Sequence, residues 1–213
     1  MKMRQKGFTL AEVLITLAII GVVAAMTIPT LINKVDDIQY KSAFKKVFST
    51  LSNATTTILN DNSGSFPAAW DGDVKIFRDA YASKFKIVKT CDYGSAQGAC
   101  WHTDNTIFNL DRTPYADWTN DGQGLVLADG TFVQTWWDGS DGNQWDLGAF
   151  GCGWFRVDVN GFKKPNTFGR DIFWIRILSN KLAPFGINDG QTCVTASGNG
   201  FGCARSVLMN LDY

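Results

Sequence analysis

From Phe8 to Ile32 the chain is apolar at nearly every position, and Glu12 is the one charge in that run. At 1.5 Å rise per residue about 20 residues cross a bilayer core, so a segment of roughly 25 is long enough to span. After Asn33 the composition turns polar, but apolar positions still recur three or four apart at Val35, Ile38, Phe44, Val47, Phe48, Leu51, Thr55, Ile58 and Leu59. Lys41, Lys45, Lys46 and Ser52 fall off that stripe. Asn60-Asp61-Asn62-Ser63-Gly64 is a stop signal. The pattern predicts one helix from Phe8 to about Leu59, roughly 75 Å long, apolar all round in its first half and one-faced in its second. The first half suits a bilayer, and the second suits docking onto a globular head.

Phe77, Tyr81, Phe85 and Val88 are spaced for a second, shorter helix before Cys91. The period then shortens to two. Gly124–Leu127 and Thr131–Trp136 flank Ala128-Asp129-Gly130, and an Asp-Gly turn between β-prone runs predicts a hairpin. Trp154–Val159 and Ile172–Ile177 read as two more strands joined by the loop 160–170. About four antiparallel strands packed by one long amphipathic helix make an α+β head.

Charge and cysteine usage narrow the function. Lys plus Arg balance Asp plus Glu, and without the basic start Lys2, Arg4 and Lys6 the remainder is mildly acidic. Nucleic-acid binding is not expected, because it needs a concentrated basic surface to release counterions. The five cysteines lack paired knuckle spacings for zinc, and His102 is the one histidine. Cys91 with Cys100, and Cys193 with Cys203, each enclose a short Gly-rich loop, which reads as two local disulfides formed in an oxidising compartment. Cys152 is then the odd one, read as a small buried apolar side chain.

The basic residues flank the apolar run on its N-terminal side, which keeps that end cytoplasmic and sends the rest outward. A cleaved signal peptide would use Val23-Ala24-Ala25, but apolar sequence resumes at once with Met26, Ile28, Leu31 and Ile32. An uncleaved anchor explains the length and gives Glu12 no purpose. A carboxylate inside a membrane segment costs on the order of 3 kcal/mol, so a partner for it is the default expectation.

The string Lys6-Gly7-Phe8-Thr9-Leu10-Ala11-Glu12-Val13-Leu14 resembles the class III signal of type IV pilins and type II secretion pseudopilins. The resemblance covers about the first 35 residues. It implies a pilin-like fold and cleavage by prepilin peptidase after Gly7, with methylation of the new N-terminal Phe8. Residues 1–7 are then a leader, 8–32 a transmembrane or filament-core helix, and 33–213 an extracytoplasmic head that includes the rest of the long helix. It also implies that Glu12 neutralises the N-terminal amine of a neighbouring subunit during assembly, since methylation retains the positive charge. Gly21 and Pro29 fall where family members carry helix-weakening residues. The Cys193–Cys203 segment is similar to the C-terminal disulfide loop of many pilins.

The head offers weaker candidates. Asp158, Asn160, Asn166 and Asp171 gather oxygens in one loop, and some major pseudopilins hold calcium in a head loop, yet an Asx-type turn explains the same residues. Asp138 to Asn143 is a second, weaker calcium candidate. Trp136, Trp137, Trp145 and Trp154 could stack on sugars, but at strand positions tryptophans more often pack. A catalytic reading would have to use His102, which adjoins Trp101 and follows Cys100. The glycine-rich Gly198–Gly202 opens no βαβ unit, so it does not read as a phosphate loop.

The resemblance thus implies a non-enzymatic filament subunit of a pilus or pseudopilus. Its partners would be prepilin peptidase, other pilin-like subunits, an inner-membrane assembly platform and the membrane, with calcium as the one cofactor weighed. Its place would be the cytoplasmic membrane, head outside, and then the filament. The alternative is a signal-anchored extracytoplasmic enzyme or carbohydrate-binding module.

Overall fold

The apolar run and the amphipathic stripe after it form one α-helix, α1, over Leu10–Asp61. The computed structural model describes residues 7–115, 122–139, 151–187, 193–194 and 198–211; the leader residues before Gly7 lie outside these. The chain divides into two units, Met1–Gln39 and Tyr40–Tyr213, so α1 contributes to both.

In the first unit the apolar side chains of Leu14, Ile19, Met26 and Leu31 on α1 are exposed. Its threonine hydroxyls are satisfied within the helix. The hydroxyls of Thr16, Thr27 and Thr30 donate to the carbonyls of Glu12, Val23 and Met26 at 2.9 to 3.0 Å. That arrangement hides each hydroxyl without water. Pro29 lies inside the helix and cannot donate back to Ala25.

In the second unit a six-stranded antiparallel sheet runs in chain order: β1 Ile87–Cys91, β2 Gln123–Leu127, β3 Phe132–Trp137, β4 Gly153–Asp158, β5 Ile172–Leu178 and β6 Lys181–Pro184. Period-two alternation sorts its side chains. Val133, Trp137, Phe155, Val157, Phe173, Ile175 and Ile177 share one core with Phe44, Val47, Leu51 and Ile58 of α1 and Phe77 and Tyr81 of α2, Val74–Ala82. Phe44 stacks on Phe173 with ring centroids 4.2 Å apart, and Phe77 on Trp137 at 4.6 Å. Asp73 caps α2 by accepting from the Lys75 and Ile76 amides.

The opposite sheet face is buried too. Trp154 and Trp174 pack there with Trp101, Ile107, Phe168 and Phe185, carried by loops rather than by a helix. Fully buried Arg156 lies among them, its guanidinium carbon 4.6 Å from the Trp154 ring centroid, 4.9 Å from Trp174 and 5.6 Å from Trp101. Three ring faces offset part of the cost of burying that charge.

Several elements differ from the sequence pattern. Among the described residues there are six strands rather than four. The stretch expected as one helix through Val88 splits, because α2 stops at Ala82 and Val88 belongs to β1, where Ile87 pairs with Leu127 and Cys91 with Gly124. A short apolar run with three-four spacing fits a helix or an edge strand equally, and pairing with β2 decides it. β6 returns along β5 after a turn at Ser179-Asn180 and is too short to alternate visibly. A C-terminal helix, α3, covers Cys203–Met209. The helix α1 starts at Leu10 rather than Phe8, and its buried stripe begins at Phe44, with Val35 and Ile38 exposed.

Candidate functional site

Gly7, Phe8 and Thr9 precede the first turn of α1. Phe8 is 89% exposed and no atom lies within 4 Å of where a Gly7 Cβ would stand. A bond between Gly7 and Phe8 is therefore reachable on non-helical backbone, as a protease requires.

Thr9 is the N-cap of α1. Its hydroxyl accepts from the Glu12 amide at 3.2 Å, while Glu12 Oε2 accepts from the Thr9 amide at 2.8 Å and from the Thr9 hydroxyl at 2.7 Å. This reciprocal pair is a capping box, which satisfies donors that a helix start leaves orphaned. The Thr-x-x-Glu spacing that signals it stands in the sequence, yet it escapes a reading that treats Glu12 as a charge alone. All three hydrogen bonds use Oε2 or the backbone, and none uses Oε1 of Glu12.

Beyond that turn α1 is long and apolar enough to cross a membrane. Gly21 lies on its open surface with nothing within 4 Å, and Gly21 to Pro29 are helical throughout. Residues 2–28 match the family model described as the prokaryotic N-terminal methylation motif. This is the prepilin-type cleavage signature of type IV pilins and pseudopilins. No curated protein and no solved structure matches the chain. The match is confined to this N-terminal segment, which therefore carries the signature of a prepilin-peptidase substrate ahead of an apolar helix.

The head residues singled out in the sequence fall into three groups. Cys91 is bonded to Cys100 and Cys193 to Cys203, with Cα atoms 6.1 and 4.6 Å apart. The first disulfide packs on β2, where a Cβ at Gly124 would stand 2.5 Å from that of Cys100. Cys152 lies outside both bonds and packs in the helix-side core.

The loop between β4 and β5 closes on two buried carboxylates. Asp158 Oδ1 accepts from the Asn160 and Gly161 amides, and its Oδ2 lies 2.7 Å from Nε2 of His102. Asp171 accepts from the Asn166 and Thr167 amides at 2.8 and 2.7 Å. Burial pushes both carboxyls up, and Asp158 nearby adds to the rise that brings Asp171 to about 7. The side-chain amides of Asn160 and Asn166 donate to Lys164 and Thr106 carbonyls. Among the described residues their Oδ1 atoms are the two acceptors of this set that meet no donor. Calcium takes six to eight oxygens, and a loop whose four carboxylate oxygens already hold amides or His102 has the chemistry of a self-closed turn. His102, buried against Trp101, Phe132 and Phe162, serves as one wall of that turn.

In the second candidate loop, Asp138 is buried and accepts from the Trp136 indole at 2.6 Å; Asp141, Asn143 and the neighbouring Trp145 lie outside the described residues. The described tryptophans are buried or half-buried. Gly200 adopts φ +83 with Phe168 backbone close by, so the Gly198–Gly202 segment is packed against the outer core.

Proposed function

We propose that the chain is a structural subunit of a type IV pilus-like filament or type II secretion pseudopilus, and not an enzyme. Prepilin peptidase removes residues 1–7 and methylates Phe8. The subunit then waits in the cytoplasmic membrane with its head outside, until an inner-membrane assembly platform extracts it into a filament of packed N-terminal helices. The observation that carries this reading is the placement of Gly7 on accessible backbone immediately before a capped apolar helix whose first turn holds Glu12. A cleaved secretory signal would discard that helix; cleavage after Gly7 keeps it.

In the filament the amine of Phe8 pairs with Glu12 of a neighbouring subunit. An ion pair in an apolar fibre is favourable only when both charges are present and close, because either alone leaves a buried uncompensated charge. The unused Oε1 atom is the acceptor for that amine, and Oε2 keeps the helix capped. Gly21 and Pro29 mark the stretch that yields if the helix unwinds during packing. The loop bounded by Asp158 and Asp171 has a structural role in this reading, with no calcium.

Mass spectrometry of the mature N-terminus tests the reading. A chain beginning at methylated Phe8 is expected. A chain beginning at Met26, or an intact Met1, would place the protein with signal-bearing or anchored extracytoplasmic enzymes and carbohydrate-binding modules instead.

A further inference from the structure

We infer that the end of the head at which α1 enters carries a docking surface for an anionic phospholipid bilayer, built on the exposed tip Phe162-Lys163-Lys164. The inference rests on the reading that residues 8–32 span the membrane.

Three contacts fix the tip at that end. The hydroxyl of Tyr40, the first residue of the second unit, donates to the Lys164 carbonyl at 3.4 Å. Gly161, at φ +65, lies so close to the β2–β3 hairpin that a Cβ on it would stand 2.8 Å from the Gly130 carbonyl oxygen. The Ala128 amide of the same hairpin donates to the Lys86 carbonyl at 2.9 Å. Lys45, Lys46, Lys86, Lys163 and Lys164 therefore come from three separate stretches of chain to one end of the sheet. Lys46 pairs with Asp129 at 3.0 Å, and Lys45 donates to the Asn210 side chain. No ion pair among the described residues involves Lys86, Lys163 or Lys164. The carboxylates under the tip, Asp158 and Asp171, are fully buried and do not face outward.

The opposite end carries paired charges of both signs. Where α1 stops and α2 begins, Asp61, Asp71 and Asp73 are exposed, and Trp137 rather than Phe132 marks that end of β3. There Asp61 pairs with Lys84, and Asp92 with Lys75 and Arg78.

Phe162 points to lipid rather than to a soluble polyanion. It is 52% exposed although it stands edge-on to Phe132 at 4.6 Å, so the fold holds an aromatic ring half out of the protein next to two free lysines. An aromatic ring at headgroup level flanked by lysines is the chemistry of the membrane interface. Sequence separation agrees: Tyr40 follows Ile32, the end of the apolar run, by eight residues. The two buried carboxylates hold the loop rigid, so little ordering is needed on contact.

The test uses the full chain in nanodiscs of phosphatidylcholine, with or without phosphatidylglycerol, and reads the amine-labelling rate of each lysine by mass spectrometry. Lys163 and Lys164 are expected to label about fivefold more slowly when phosphatidylglycerol is present, in line with about 1 kcal/mol per lysine at an anionic surface. Molar salt should restore the rate. Lys75, beside Asp92 at the far end, should not change. In Lys163→Glu with Lys164→Glu, Lys86 should lose its lipid-dependent protection, whereas Lys75→Glu should keep it. Equal labelling in both lipids overturns the proposal. So does protection that tracks protein concentration rather than lipid, which would assign the surface to a second copy of the chain. If the chain elutes apart from the discs before labelling, the membrane-spanning reading itself fails and the proposal falls with it.

Discussion

Thr9 and Glu12 bond reciprocally across the first turn of α1, so the carboxylate sits in the apolar segment with a local hydrogen-bonded role as well as a charge. The two roles separate in one substitution. A capping box accepts Gln as well as Glu at its last position, whereas pairing with an amine needs the charge. Glu12→Gln is expected to be cleaved after Gly7 normally and to fail in filament incorporation. Wild-type incorporation, scored by crosslinking or shearing of assembled filaments, would reduce Glu12 to a cap.

Thr9→Ala should behave in the converse way. It removes the cap at a cost of about 1 kcal/mol to the helix start, but leaves the charge of Glu12 in place. Incorporation is expected to persist, with faster amide exchange over the first turn of the detergent-solubilised chain.

Docking of α1 onto the sheet turns on Phe44, which is fully buried and stacked on Phe173. Phe44→Ala should cost about 3–5 kcal/mol. Thermal unfolding followed by tryptophan fluorescence would report it as a lower Tm, with processing at Gly7 unchanged.

Gly124 faces the Cys91–Cys100 disulfide at a distance that no side chain tolerates. Gly124→Ala should destabilise by about 1–3 kcal/mol through overpacking. Cys100→Gly removes the Cβ that the new side chain at position 124 would meet and should relieve part of that cost, so the two substitutions are expected to be non-additive in the same unfolding assay.

The loop of Asp158 and Asp171 should make stability depend on pH. Folded, Asp171 keeps its proton up to about pH 7; unfolded, it releases it near its ordinary value of 3.8. Between those values the folded state binds more protons, so the contribution of Asp171 falls as pH rises and is smallest above about pH 7. Asp158, buried beside it and bonded to His102, shifts in the same direction. Tm is expected to decline from about pH 5 to about pH 8, and Asp171→Asn should flatten that slope. Calorimetric titration of the full chain with calcium is expected to give no heat that depends on Asp171.

Part of this architecture is legible in the residues alone. The apolar run, its length, the stripe from Phe44 to Leu59 and the four central strands follow from periodicity, because a helix face and a strand face repeat at fixed intervals whatever they pack on. The Gly7-Phe8 junction and Glu12 are equally local, since the matched motif is one contiguous stretch of residues. The capping box was also written in the order of Thr9 and Glu12, although a carboxylate in an apolar run draws attention first to its charge. The edge strands were not legible. Ile87–Cys91 and Lys181–Pro184 are short, and each exists because a neighbouring strand offers it hydrogen bonds.

Tertiary structure alone decided the rest. Alternation puts Trp154, Arg156 and Asp158 on one face of β4, but nothing in that alternation says whether the face meets water. Loops from distant parts of the chain cover it, so Arg156 lies among three indoles and Asp158 meets His102. The oxygens of Asp158 and Asp171 read equally as cation ligands or as turn-closing acceptors until backbone amides take them. Which lysines stand together is likewise set by contacts between Tyr40, Gly130 and the loop at Gly161, far apart in sequence. The sequence by itself determined the apolar helix and the methylation motif at its start, which depend on neighbours along the chain. The charge and chemistry of the head surface depend on neighbours in space.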